Sequence, residues 1–234
     1  MLKKLINKRY KDIFEQYIYK GQKTPFTLGT LIVCGLCFLL ILVTTFTQLN
    51  FSMPVLKFVN GSFSIATKQV TYCPQIPAMI FIIYLIGRMY SLITFVLYLL
   101  VGFFIYPIFL FGGGLEYIKT YPFGYFLGFI FAIFIVGALL KFKHTKRVRI
   151  LCAILGVFAI HTCAFIYCVI LAIFKAIDFS MIPLIINVVS GSKFGYDIVF
   201  SSLIMLVAPY IKNFFWICMK PKMDRKKLKS LRNL

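Results

Sequence analysis

Long apolar blocks dominate this chain, each closed by a glycine, a proline or a basic cluster, and a water-soluble core has no use for runs of that length. A helix rises about 1.5 Å per residue, so about 20 residues cross a hydrocarbon layer roughly 30 Å thick. Hydrophobic residues fill 61% of 234 positions, which leaves room for about six spans with short connections and for no large separate domain. The expectation is an all-α membrane protein with six transmembrane helices.

The first span is expected at about 26–48; it is too long for a removable signal peptide and lacks a small-residue cleavage pattern. Ile76 to Phe111 as one helix would be about 54 Å long, more than any bilayer accommodates. An inward turn at Arg88, Met89, Tyr90 and Ser91 is therefore expected between spans two and three, with Pro107 ending the third. Spans four, five and six fall at about 124–140, 150–174 and 195–219. Gly124 and Gly128 open the fourth at the spacing that lets two membrane helices approach closely. Residues 49–73, with Pro54, Asn60 and Gly61, read as an outward loop or short re-entrant piece. Residues 175–194, with Asp178, Pro183 and Asn187, read as an outward connection that dips back towards the membrane.

A formal charge of +20 would suit nucleic acid, but its distribution does not. Seven Lys and Arg lie in 1–24, Arg88 stands alone, five lie in 141–149 and seven in 220–234, so 20 of 26 share one face. By the positive-inside rule both the N- and C-termini are cytoplasmic, and anionic membrane lipid is the partner of this charge. No nucleic-acid binding is expected, because the aromatic residues belong to spans and are not interleaved with the basic tails. The chain divides into a basic amphipathic segment over 1–24, read as an interfacial helix, a membrane domain over 25–219, and a basic tail over 220–234.

Six of the seven cysteines lie in or beside apolar blocks, where a thiol packs as a small hydrophobe. Acids are scarce. Asp12, Glu15 and Asp224 belong to the cytoplasmic ends, which leaves Glu116, Asp178 and Asp197 near the outer side. A charge at the bilayer centre costs on the order of 3 kcal/mol, so Asp197 at the head of span six must face a partner, water or a ligand. Lys193 stands one helical turn earlier. His161, in the middle of span five, has no second His or Cys at ligand spacing, so a hydrogen bond to a neighbouring helix is expected and a metal site is not. Ser190, Gly191 and Ser192 resemble a fragment of an intramembrane serine protease motif, but they sit in a loop without the framing helix. The chain carries neither a G-x-x-x-x-G-K-[ST] loop for ATP nor a G-x-S-x-G elbow, so it reads as a non-enzyme. At the outer ends Gln75, Tyr98, Tyr106, Phe109, Gly112, Gly113, Gly114, Glu116, Tyr117, Phe123 and Tyr125 converge. Apolar walls with a few polar groups suit a small-ligand pocket, and the alternative is an aromatic interface belt.

Several segments carry a family resemblance: PQIPAMIF at 74–81, YPIF at 106–109, IHTCAFIY at 160–167 and, most specifically, FGGGLEYIKTYPFGYFLGF at 111–129. Over about residues 74–218 the chain resembles the BioY family, the biotin-specific S-components of energy-coupling factor (ECF) transporters. The resemblance implies a multi-pass protein of the bacterial inner (plasma) membrane that captures biotin from outside. An ECF transmembrane coupling subunit and ATPase subunits would power delivery inward, and no cofactor is implied. The residues expected to bind the ligand are Gln75, Tyr98, Phe109, Gly112, Gly113, Gly114, Tyr117, Phe123, Tyr125, His161, Lys193 and Asp197. Two departures stand out. The family usually carries Asp and Lys three residues apart at the start of span six, but here Asp197 is followed by Phe200; Lys193, or backbone N–H groups of the Gly112 to Gly114 turn, is expected to replace the cation. In span one, Thr30 and Cys34 are the nearest match to the small pair that packs on the coupling subunit. The alternatives are an S-component for another vitamin, or a membrane scaffold protein that retains no biotin.

Overall fold

The structure, a computed structural model, describes residues 26–59, 62–142, 145–191 and 193–219. The expected interfacial helix, the basic tail and His144 lie outside the described residues. Among the described residues five long helices carry the fold: α1 (Leu28–Phe46), α2 (Gln75–Phe104), α3 (Phe123–Phe142), α4 (Lys146–Ile173) and α5 (Lys193–Met219). All five are long and apolar enough to cross a membrane. Their outward faces carry large apolar side chains such as Leu31, Ile32, Leu39 and Val43 on α1, whereas Thr30, Val33, Cys37, Ile41 and Thr45 form its buried stripe at spacings of three and four. Lipid-facing surface of that kind makes this a multi-pass membrane protein.

The all-α expectation needs one correction. Between α1 and α2 stands an antiparallel hairpin of β1 (Leu49–Val59) and β2 (Ser62–Tyr72), in register from Leu49 opposite Tyr72 to Val59 opposite Ser62. Polar and apolar residues alternate along much of β2, and the sequence between the strands, Asn60-Gly61, is the commonest two-residue hairpin pair. The hairpin returns the chain to the end of the bundle it left, where Gln75 Nε2 donates to Thr45 Oγ1 at 3.0 Å.

α2 is two arms, not one rod. Gly87 has φ 78° and ψ 172°, a backbone conformation that residues with side chains avoid. Gln75 and Tyr98 would be about 35 Å apart along a straight helix, yet Gln75 Nε2 lies 3.4 Å from the Tyr98 hydroxyl. The chain therefore doubles back at Gly87. The reversal expected at Arg88 to Ser91 comes one residue earlier, because only the glycine tolerates it; Ser91 Oγ donates to Gly87 O at 2.8 Å and secures the turn. The second arm ends at Phe104, before Pro107, as the chain folds back towards Gly102.

α3 and α4 pack most closely. A Cβ on Gly124 would stand 2.7 Å from Tyr167 Cβ, and one on Gly128 2.7 Å from Ile160 Cα, so the small pair brings the backbones together as expected. Before α5, Phe179–Met181, Ile182–Ile186 and Asn187–Gly191 make short helical turns of different pitch. On α1, Thr30 is fully buried and turned into the bundle, so it is not offered to a neighbouring subunit, whereas Gly35 stands in open space.

Two cations secure the end of the bundle where α2 reverses. Pro209 inside α5 has no N–H for the Met205 carbonyl, and Arg149 of α4 donates Nε to that oxygen at 3.0 Å. Tyr84 lies in the last turn before the Gly87 break, where carbonyls lose their helical partners; Lys212 of α5 donates to its oxygen at 2.8 Å. Arg149→Met is therefore expected to destabilise the protein by about 1–3 kcal/mol by orphaning a buried carbonyl. Thermal melting of the purified variant checks this, and an unchanged Tm would show that the carbonyl finds another donor.

Candidate functional site

At the opposite end, the first turns of α5 carry Asp197 inward. Only 2% of it is exposed, too little for a carboxylate without partners. Two partners meet it. The Tyr72 hydroxyl, at the end of β2, donates to Oδ1 at 2.8 Å, and Nε2 of His161, from the middle of α4, lies 3.0 Å from Oδ2. Burial pushes the pKa of the Tyr72 hydroxyl up, and the Asp197 charge adds to the effect, so Tyr72 keeps its proton and remains a donor.

His161 is held from its other side too. Its Nδ1 lies 3.0 Å from Ser190 Oγ, which in turn lies 2.6 Å from the Tyr125 hydroxyl. Edge-on contacts with Tyr125 and Phe194, at centroid separations of 5.5 and 5.1 Å, fix the imidazole plane. Side chains from β2, α3, α4, the turn before α5 and α5 itself thus form one continuous hydrogen-bonded row.

The row borders a cavity of about 150 Å³. Tyr72, Tyr125, His161 and Asp197 line it, Gln75 and Lys193 add polar groups, and Tyr117, Phe126 and Phe129 supply an aromatic wall. Tyr117 and Phe126 stack at 5.4 Å. Burial raises the Tyr117 hydroxyl pKa, which leaves it neutral. A carboxylate, an imidazole, an ammonium group and several hydroxyls around a mostly apolar hollow suit a small molecule with N–H donors and acceptors on an apolar frame. Among the described residues no group of His, Cys, Asp and Glu is placed to hold a metal ion.

The sequence profile of the BioY family matches residues 22–215. The chain belongs to the BioY family. Among solved structures this BioY chain is similar to the crystal structure at 2.1 Å of the S-component for biotin from an ECF-type ABC transporter. The TM-score is 0.59 at 19% identity, over 81% of this chain and 95% of that one. At that identity the likeness establishes a shared fold. No curated protein matches the chain.

Of the residues expected to bind a ligand in this BioY chain, Gln75, Tyr117, Tyr125, His161, Lys193 and Asp197 line the cavity. Tyr98 and Phe109 stand behind its wall. The Tyr98 hydroxyl lies 3.2 Å from Thr45 Oγ1, and the Phe109 ring packs 4.7 Å from Tyr117 and 4.9 Å from Phe126. Phe123 does not line the cavity; it packs on Tyr167 and Phe103 and, from behind the wall, edge-on to Phe126 at 6.2 Å. The triple glycine is a turn and not a cavity wall. The Gly112 N–H donates to Phe109 O at 3.1 Å and the Gly114 N–H to Gly102 O at 2.9 Å, so neither is free to replace a cation.

Asp197 takes His161 as its ionisable partner, and among the described residues Lys193 makes no ion pair with it within 4.0 Å. Where the family usually has Lys, Phe200 packs on Tyr72 with centroids 5.3 Å apart. Sequence reasoning misses Tyr72 and reads Ser190 only as part of a protease-like fragment in a loop. Tyr72 reaches the site only through the hairpin, and nothing in spacing shows that Ser190 meets His161 across 29 positions.

Proposed function

We propose that this chain is a biotin-capturing S-component of an ECF transporter, set in the bacterial inner membrane with both termini cytoplasmic. The reversal at Gly87 divides α2 into two crossings, which supports a count of six. The cavity then lies at the outer end and the basic segments at the inner one. A transmembrane coupling subunit and ATPase subunits supply the energy, and the chain acts as a non-enzymatic capture subunit. Family membership and the shared fold support the ligand. The observation that carries the reading is Asp197, a buried carboxylate that lines a half-aromatic cavity.

Biotin offers two ureido N–H donors, a ureido carbonyl, an apolar ring and a carboxylate tail. Asp197 accepts the N–H groups, hydroxyls on the cavity wall serve the carbonyl, and Tyr117, Phe126 and Phe129 cover the ring. Lys193 is the cation available to the tail. Purified protein is expected to gain thermal stability from biotin and none from thiamine or riboflavin; equal shifts from all three would defeat the assignment. Lys193→Ala is expected to weaken biotin about tenfold, the scale of one charge-assisted hydrogen bond. Unchanged affinity by calorimetry would remove Lys193 from the site.

A further inference from the structure

The row of hydrogen bonds has a direction. Asp197 as a carboxylate only accepts, so Tyr72 and His161 Nε2–H both donate to it. With a neutral imidazole, Nδ1 must then accept. Ser190 donates to it, and the Tyr125 hydroxyl donates to Ser190. In that state the Tyr125 hydrogen is engaged, and its oxygen offers the cavity only lone pairs.

Protonation of His161 puts a hydrogen on Nδ1, and the outer half of the row can then reverse. Nδ1 gains a hydrogen and donates to Ser190 Oγ; Ser190 turns its own hydrogen onto Tyr125; the Tyr125 O–H swings away, and Tyr125 lines the cavity. One proton enters from solvent and no covalent bond beyond N–H changes. We propose that Ser190 and Tyr125 relay the protonation state of His161 to the cavity wall, turning Tyr125 from acceptor to donor, so that capture of a ligand carbonyl takes up a proton. The capture half rests on the biotin reading; the relay itself does not.

The titratable groups around His161 surround it from several elements. Asp197 from α5 faces it directly, Tyr72 from β2 stands beyond Asp197, Tyr125 from α3 lies edge-on to the ring, and Lys193 and Cys73 border the same cavity. Histidine is the side chain whose charge ordinarily changes between about pH 5 and pH 8.

The sequence holds two histidines, so a His144→Gln background leaves His161 as the sole imidazole for NMR. In ligand-free protein, the 15N signals of His161 and the 13Cζ signal of Tyr125, assigned by its loss in Tyr125→Phe, are followed from about pH 5 to pH 8. The two are expected to move with one midpoint. In Ser190→Ala, His161 is expected to titrate still while Tyr125 stops responding. A His161 that keeps one state throughout, or a Tyr125 response that survives Ser190→Ala, would overturn the relay. Biotin calorimetry in two buffers of different ionisation enthalpy tests the other half. Proton uptake is expected in the wild type and should fall at least about threefold in Ser190→Ala. Proton release, or uptake unchanged by the substitution, overturns proton-linked capture. No biotin binding at any pH overturns the biotin reading and that half with it, leaving the relay to stand or fall on the NMR result.

Discussion

Asp197→Asn is expected to lower biotin affinity by at least about 100-fold while leaving the protein folded. The carboxylate offers two oxygens to the two ureido N–H groups, and charge-assisted hydrogen bonds contribute roughly 1.5–3 kcal/mol each, so losing the charge costs two or more decades. Asparagine keeps the shape and one oxygen for Tyr72, whose hydroxyl sits 2.8 Å from Oδ1. It also places an amide N–H₂ where an acceptor stood, so a donor meets a donor. Alanine would be less informative, because it strands the Tyr72 hydroxyl and His161 Nε2 and so mixes binding with stability. Calorimetry with biotin, alongside the Tm of unliganded protein, separates the two. If Asp197→Asn keeps affinity within about threefold at an unchanged Tm, the carboxylate is not the ligand's anchor, and the cavity's purpose lies elsewhere.

The helices are legible in the sequence because the requirement that produces them is crude. A segment must stay apolar for about 20 residues to cross lipid, and the expected span at 124–140 matches Phe123–Phe142 closely. Gly124 and Gly128 are legible for a similar reason, since small residues four apart have one main use in lipid. The turn in α2 reads one residue late because Arg88 is conspicuous by its charge, whereas the break needs the backbone freedom of Gly87. The hairpin is hidden although Asn60-Gly61 marks its middle in the sequence, because a membrane composition suggests helix and loop only. With it goes Tyr72, the residue that completes the Asp197 contacts. Asp197 itself stands out, since an acid in an apolar helix needs a reason. Its partner does not. Lys193 is the nearest cation in sequence, but helix packing brings up His161 from α4 instead, and only the fold shows which neighbour fills the gap.

The triple glycine shows how a motif can matter to a site it does not touch, and Gly113→Ala is the substitution that reveals it. A Cβ there would run into Pro107 Cα and stand 2.7 Å from Gly102 O, both backbone atoms that no rotamer change relieves. The segment from Pro107 to Gly114 would have to lift from α2, where it is tied by the bond from Gly114 N–H to Gly102 O at 2.9 Å. Gly102 in turn lets the Phe109 ring lie in the space its own Cβ would fill. Lifting the segment withdraws Phe109 from Tyr117 and Phe126, and the aromatic wall of the cavity loses its backing. Gly113→Ala is expected to cost at least about 2 kcal/mol by overpacking and to weaken biotin more than tenfold, although residue 113 does not line the cavity. Gly195→Ala is the matched control, because a Cβ there meets nothing within 4 Å and alanine suits a helix better than glycine. It is expected to leave Tm unchanged or slightly raised. If the two variants melt alike, the close approach at Gly113 is not what holds the aromatic wall in place.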